Sequence, residues 1–179
     1  QFTGISPRVY STENVNQLLE VLQARLIERI SYGIPTSAPT SRWMMCALDF
    51  DRTITRKEGT RKDPDIAALI GNHRLKLLQG FFKYLAQSGV MLVVVSLNHR
   101  KVIVPVLTKM GVLAHFSYIY DSREVSRFGS KQNLMLNLMQ QHSIRPNNCV
   151  LVDDLSSNLI GAPCKTVHVR EERGIGPLE

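Results

Sequence analysis

Trp43-Met44-Met45-Cys46-Ala47-Leu48-Asp49-Phe50-Asp51-Arg52-Thr53 is the stretch that decides the fold. Six apolar residues run without a polar break and end on an aspartate, with Asp51 and Thr53 close behind. An apolar run that short, stopped abruptly by polar residues, marks a strand buried on both faces. The pattern returns at Val90–Val95 before Ser96-Leu97-Asn98, and at 149–152 before Asp153-Asp154. Helical periodicity lies between these runs, over roughly 65–88, up to about Gly111, and over about 130–142. Residues 117–120 and 166–169 read as further short strands, with a short helix near 155–161.

Doubly buried strands alternating with helices predict an α/β domain, a three-layer, Rossmann-like parallel sheet with helices on both faces. It is preceded by a different kind of segment. Residues 11–31 read as an amphipathic helix, capped by Ser11 or Thr12, with Val15, Leu18, Leu19, Leu22, Leu26 and Ile30 at helical spacing. Gly33 ends it, and residues 34–41 have the Pro, Ser and Thr content of a linker. The division expected is therefore 1–41, an N-terminal helix and linker, and 42–179, the α/β domain. The stripe Val15, Leu18, Leu22 and Leu26 should pack on this domain or on a second subunit, making a homo-oligomer, since it would otherwise be exposed.

Composition excludes several classes. With 44% hydrophobic residues the chain is no disordered polypeptide. No apolar run approaches the roughly 20 residues that span a bilayer, and the first thirty residues carry no signal-peptide pattern. No membrane partner is expected. Cys46, Cys149 and Cys164 form neither a metal-type pair nor an even disulfide set. They read as free thiols in or beside buried strands of an intracellular protein, most simply cytoplasmic, with the nucleus left open. The net charge of +7 is concentrated in the middle of the chain, +4 over 42–89 and +5 over 90–146. That favours an anionic partner, although an aromatic content of 7% gives no indication of nucleic acid.

In parallel sheets of this kind ligands bind at the carboxyl ends of the strands. There Asp49, Asp51, Ser96, Asn98, Asp153 and Asp154 should converge, with Lys131 at the start of the helix before the fourth strand. Carboxylates brought together repel, so the cluster calls for a cation. Mg2+ suits oxygen donors, and no His/Cys set for zinc lies nearby. A lysine and a serine hydroxyl suit phosphate oxygens. A carboxylate can attack phosphorus, and another two residues on can protonate the leaving oxygen and then activate water.

Four short motifs then carry a resemblance. Leu48-Asp49-Phe50-Asp51-Arg52-Thr53, Val95-Ser96, Lys131 in Gly129-Ser130-Lys131-Gln132, and Val152-Asp153-Asp154 with Asn158 resemble, in order, the four motifs of the haloacid dehalogenase superfamily. The likeness runs from about residue 43 to about 169. It implies that Asp49 is the nucleophile, that Asp51 is the acid and base with its carbonyl on the metal, and that Thr53 shapes the loop. Ser96, Lys131, Thr53 and Asn98 would meet the phosphate. Asp49, Asp51, Asp154 and Asp153 would hold Mg2+, Asp154 ranking above Asp153, with Asn158 behind them. Asp153 could equally cap the helix near 155, and Asn98 could cap the helix after the second strand.

Asp51 argues against the dehalogenase and transport-ATPase branches, and the sequence distances leave room only for a small cap: 43 residues from Thr53 to Ser96, 35 from Ser96 to Lys131. The resemblance thus implies a Mg2+-dependent phosphomonoesterase acting through an aspartyl-phosphate on a small molecule or a phosphoprotein or other macromolecule. Arg56, Lys57, Arg61 and Lys62 stand near its mouth as a possible grip or as a plain solvated loop. The alternatives are a phosphate-binding or scaffold protein of the same fold with negligible turnover, and a receiver-type phospho-acceptor, whose order of acids this chain lacks. The geometric test is direct: Asp154 must lie within about 8 Å of Asp49 to share one ion.

Overall fold

The computed structural model describes residues 9–12, 44–60, 64–169 and 174–175. In chain order these form β1 (Val9–Thr12), β2 (Met44–Leu48), α1 (Ile66–Ile70), α2 (Asn72–Gln87), β3 (Val90–Val95), α3 (Arg100–Lys109), β4 (Phe116–Tyr120), α4 (Ser122–Phe128), α5 (Lys131–Gln141), β5 (Cys149–Asp153), α6 (Ser156–Leu159) and β6 (Lys165–Val169). The strands make one parallel sheet in the order β1-β6-β5-β2-β3-β4. The expected three-layer, Rossmann-like architecture is what forms.

The apolar runs explain the layering. Successive side chains of a strand point to opposite faces. Cys46, Leu48, Leu92, Val94, Val150 and Val152 therefore meet one layer, built by Ile70, Leu78, Phe82 and Leu85 of α1 and α2 and Ile103, Val106 and Leu107 of α3. Met45, Ala47, Val93, Val95, Cys149 and Leu151 meet the other, built by Val125 of α4, Leu134, Met135 and Leu138 of α5 and Leu159 of α6. Burying a Leu or Val side chain is worth about 1.5–3 kcal/mol. The two-sided burial of β2, β3 and β5 is thus the main support of the sheet centre, where the acids sit. The three cysteines are free and buried, as the sequence predicts.

Three expectations change. The single helical pattern over 65–88 is two helices broken at Gly71, whose φ of 87° lies where only glycine sits without strain. Helix α4 is an addition, held by a capping box in which Asp121 accepts from the Arg123 N–H at 2.8 Å and Glu124 accepts from the Asp121 N–H at 2.9 Å. Ser11 and Thr12, expected to open the N-terminal helix, are instead strand residues paired with His168 and Val169 of β6. Residues 9–12, assigned by sequence to the segment before the domain, are thereby an edge strand of its sheet. The rest of the expected helix, with Val15, Leu18, Leu22 and Leu26, lies outside the described residues.

A late stretch of chain reinforces the loop after β2. The Ile175 N–H donates to the Thr53 carbonyl at 2.8 Å, which also accepts from Arg74 Nη2 at 2.8 Å. Gly174 makes this approach possible. Its φ is +70°, and a Cβ there would lie 2.7 Å from the carbonyl oxygens of both Thr53 and Thr55. Gly174→Ala should therefore destabilise the protein by about 2–4 kcal/mol, combining left-handed strain with a clash against backbone. The urea midpoint of the variant checks this; a wild-type midpoint would mean that the segment is not seated on the loop.

Candidate active site

The central strand ends at the site. The Asp49 N–H still donates to the Val152 carbonyl at 2.8 Å, so the nucleophile candidate is fixed by the ladder between β2 and β5. Phe50, fully buried, then turns the chain. A tight turn over Phe50–Ile54 closes with the Thr55 N–H on the Phe50 carbonyl at 2.9 Å. Within it Arg52 takes φ 58°, a left-handed conformation uncommon for a side chain of this size. Such strain persists only when surroundings over-determine the backbone. Here they do: Phe50, Thr53 and Ile54 are buried around it, and Arg52 Nη2 meets Glu58 at 3.1 Å.

Lys131 is the centre. As the first residue of α5 it is placed by the helix start, where Ser130 caps the Asn133 N–H at 3.1 Å. Its Nζ donates to Asp49 Oδ1 and to Asp153 Oδ2, each at 2.6 Å. All three groups are buried. Both Asp153 oxygens are hydrogen-bonded, Oδ1 accepting from the Leu155 N–H at 2.9 Å and from Asn158 Nδ2 at 3.0 Å. The Asn158 side chain thus stands behind the acids by holding Asp153. Asp154, half-buried, offers an oxygen that lies with those of Asp49 and Asp153 within 4.8 Å of one another. The distance required of Asp154 is met.

The electrostatics are unbalanced. Three carboxylates face one ammonium. Burial pushes the Asp49 carboxyl up to about 7 against the pull of Lys131, with Asp153 and Asp154 adding to the rise. Burial and the neighbouring Asp153 also raise Asp154. Lys131 is raised because Asp49 and Asp153 outweigh its own burial. A site that holds its acids at such cost suits a divalent cation, and a set of carboxylate oxygens without His or Cys fits Mg2+.

The other expected residues divide. Ser96 is buried at the end of β3, its N–H on the Tyr120 carbonyl at 3.0 Å, and its Oγ accepts from the Asn98 N–H at 3.0 Å. That leaves the hydroxyl proton for an anion. Thr53, expected on the phosphate, is fully buried, and its carbonyl anchors the loop. Asn98, also expected there, spends its amide elsewhere: Nδ2 donates to Asp51 Oδ2 at 3.0 Å and Oδ1 at 3.2 Å, and to the Gly59 carbonyl at 3.2 Å. Asp51 also accepts from the Gly59 N–H at 2.7 Å. Burial raises the Asp51 carboxyl against these hydrogen bonds.

Two supports escape the sequence reading. His168 Nε2 lies 2.8 Å from the Asp154 carbonyl oxygen and secures the loop after β5. Arg74, buried in α2, clamps the carbonyls of Thr53 and Ile175, and burial, helped by Arg56, brings its guanidinium down to about 9. Neither has local spacing that would reveal it, and the burial of Arg74 in the first turn of its helix is visible only in the structure. Of the basic loop, Arg61 and Lys62 lie outside the described residues.

Comparison with known proteins agrees with this fold. The family model described as haloacid dehalogenase-like hydrolase matches residues 68–169. Among solved structures, the N-terminal part of the protein BF1531 from Bacteroides fragilis, containing a phosphatase domain complexed with Mg, superposes with a TM-score of 0.55 at 18% identity over 83% of this chain. The present chain spans 40% of that one. The HAD domain of the effector protein Lem4 from Legionella pneumophila superposes at 0.51, with 16% identity, over 73% of this chain and 88% of its own. Both show the fold. No curated protein matches the chain in sequence. No helix among the described residues is long and apolar enough to cross a membrane.

The raised carboxyl of Asp49 makes a stability prediction. Its proton is held more tightly in the folded chain than at the ordinary value of 3.8. That contribution is complete below about 4 and is lost as pH rises through about 7. Metal-free protein should lose Tm across this window. Mg2+ should raise Tm more at pH 8 than at pH 5, and Asp49→Asn should flatten the difference, as read by calorimetry. Equal Mg2+ shifts at both pH values would show that Asp49 does not face the ion.

Proposed function

Because the chain belongs to the haloacid dehalogenase-like hydrolase family, we propose that it is a Mg2+-dependent phosphomonoester hydrolase working through a phosphoryl group carried on Asp49. The observation that carries the reading is the meeting of buried Asp49, Asp153 and Lys131 with half-buried Asp154 at the carboxyl ends of β2 and β5. Asp49, Asp154 and Asp153, with the Asp51 carbonyl, would hold the ion. Mg2+, when bound, offsets the negative charge that would otherwise keep a phosphate dianion from Asp49.

The chain's own groups then divide the work. The Ser96 hydroxyl donates to a phosphoryl oxygen, and Lys131, anchored between two carboxylates, offers charge to the same group. An Asp49 carboxylate oxygen attacks phosphorus, and the bond from phosphorus to the ester oxygen breaks. Asp51 gives its proton to that departing oxygen. Asp51, now a carboxylate, takes a proton from water, whose oxygen attacks phosphorus and frees Asp49. Phosphate leaves and Asp51 is again protonated.

The substrate reading follows from what stands over the site. Between Thr53 and Ser96 the described chain is spent on α1, α2 and β3, and between Ser96 and Lys131 on α3, β4 and α4. Among the described residues no cap domain covers the acids. An open mouth supports a phosphate on a protein or other macromolecule, and a small phosphoester screened by a second subunit is the remaining version.

Turnover of p-nitrophenyl phosphate should vanish on chelation and return with Mg2+. Asp49→Asn should cost on the order of 10³-fold or more in kcat, the scale seen when a nucleophile is removed, with the fold intact by circular dichroism. Near-normal rates in Asp49→Asn would rule out the covalent route.

A further inference from the structure

We propose that Asn98 is the positioning residue of Asp51, and that with Gly59 it clamps that carboxylate while tethering the loop after the first motif across the site. This rests on the reading of Asp51 as the acid and base.

The geometry leaves Asn98 no other role. An asparagine amide has two N–H groups and one carbonyl. Here Nδ2 reaches both Asp51 oxygens and the Gly59 carbonyl, while Oδ1 accepts from the His99 N–H at 2.7 Å. Every donor is committed within the protein. The backbone of Asn98 is fixed as well, with its N–H on Ser96 Oγ at 3.0 Å and its carbonyl taking the Ser122 N–H at 3.0 Å. The amide therefore projects from a rigid turn between β3 and α3, which is what a part that aims another side chain requires.

Gly59 closes the clamp. Its N–H donates to Asp51 Oδ1 at 2.7 Å and its carbonyl accepts from Asn98, so one residue meets both partners. A Cβ on Gly59 would lie 2.9 Å from Phe50 Cε1 and 2.9 Å from Val102 Cγ1, so only glycine comes this close. Arg52 and Glu58, paired at 3.1 Å, tie the same loop to the turn that carries Asp51. Asp51 is thus held from two sides by elements distant in sequence, and its rotamer is set before substrate arrives.

In the first step, release of the leaving oxygen, a residue that aims the acid matters only where that oxygen needs a proton; in the second, where Asp51 takes a proton from water, it matters alike for every ester. For the first, an alkyl phosphate needs a proton; p-nitrophenyl phosphate, with a stable phenolate, scarcely does. Asn98→Ala and the isosteric Asn98→Asp, assayed with Mg2+, should lose at least about tenfold in kcat/KM on phosphoserine, a modest part of what general acid catalysis supplies. On p-nitrophenyl phosphate they should stay within about threefold of wild type in kcat/KM, which reports only the steps up to release of the leaving group. Asn98→Asp should be the worse, since it sets a carboxylate against Asp51. Equal losses of kcat/KM on the two esters would overturn the proposal and return Asn98 to the phosphate. A second measurement needs no turnover: hydrogen exchange at the Gly59 amide should quicken about tenfold in both variants, and unchanged protection would also overturn it. A wild-type protein that hydrolyses neither ester would overturn the hydrolase reading, and with it the role given to Asp51; Gly59 exchange would still decide whether the clamp exists.

Discussion

The structure depends on one buried ammonium. Lys131 Nζ sits 2.6 Å from an oxygen of Asp49 and 2.6 Å from one of Asp153, joining the ends of two adjacent strands. Taking these charges out of water costs several kcal/mol per ion, which a single pair seldom repays. The arrangement persists because the sheet around it imposes it. β2 and β5 are buried on both faces and bring Asp49 and Asp153 side by side, and the start of α5 delivers the lysine between them. Read as a stability device it is a poor one; it makes sense as a charge held ready for an anion.

The strand order gives that charge its place. The chain leaves β2 for β3 and β4 on one side and returns to β5 and β6 on the other. The crevice between β2 and β5 is where the direction of winding reverses, and at such a point no crossover connection covers the strand ends. Asp49 and Asp153 stand on its two lips. Ser96, one strand further along, lies on the β3 side. Polar backbone freed by the end of pairing, three carboxylates and one lysine are collected there by topology alone.

How much of this the sequence discloses depends on how local each feature is. Doubly buried strands announce themselves as short apolar runs, and the site residues follow those runs immediately, so Asp49, Asp51, Ser96, Asp153 and Asp154 are legible one by one. Lys131 is legible as a helix start after Gly129-Ser130. Helix α4 is not, since seven residues give too little periodicity; only Asp121 and Glu124, as a capping box, mark it. Val9–Thr12 pairs on one side only, and its Ser and Thr read as readily as a helix cap. The fates of Thr53 and Asn98 are decided by partners far along the chain, Arg74 and Ile175 for one and Asp51 and Gly59 for the other. No spacing encodes those meetings.

The anchoring of the Thr53 carbonyl by Ile175 bears on how the molecule is made. Arg74 and Ile175 are 101 positions apart, and both hold the same loop. A chain emerging from the ribosome can complete β2 through β4 early, yet the turn carrying Asp51 waits for residue 175 to complete the tie that Arg74 begins. At synthesis rates of about 5–20 residues per second, that interval is several seconds. For much of it Asp153 and Asp154 are themselves still to be made, so the site lacks both its full set of acids and its loop anchor. Competence therefore arrives late, and a polypeptide interrupted before Gly174 would resemble the finished fold while keeping only the Arg74 half of its loop anchor.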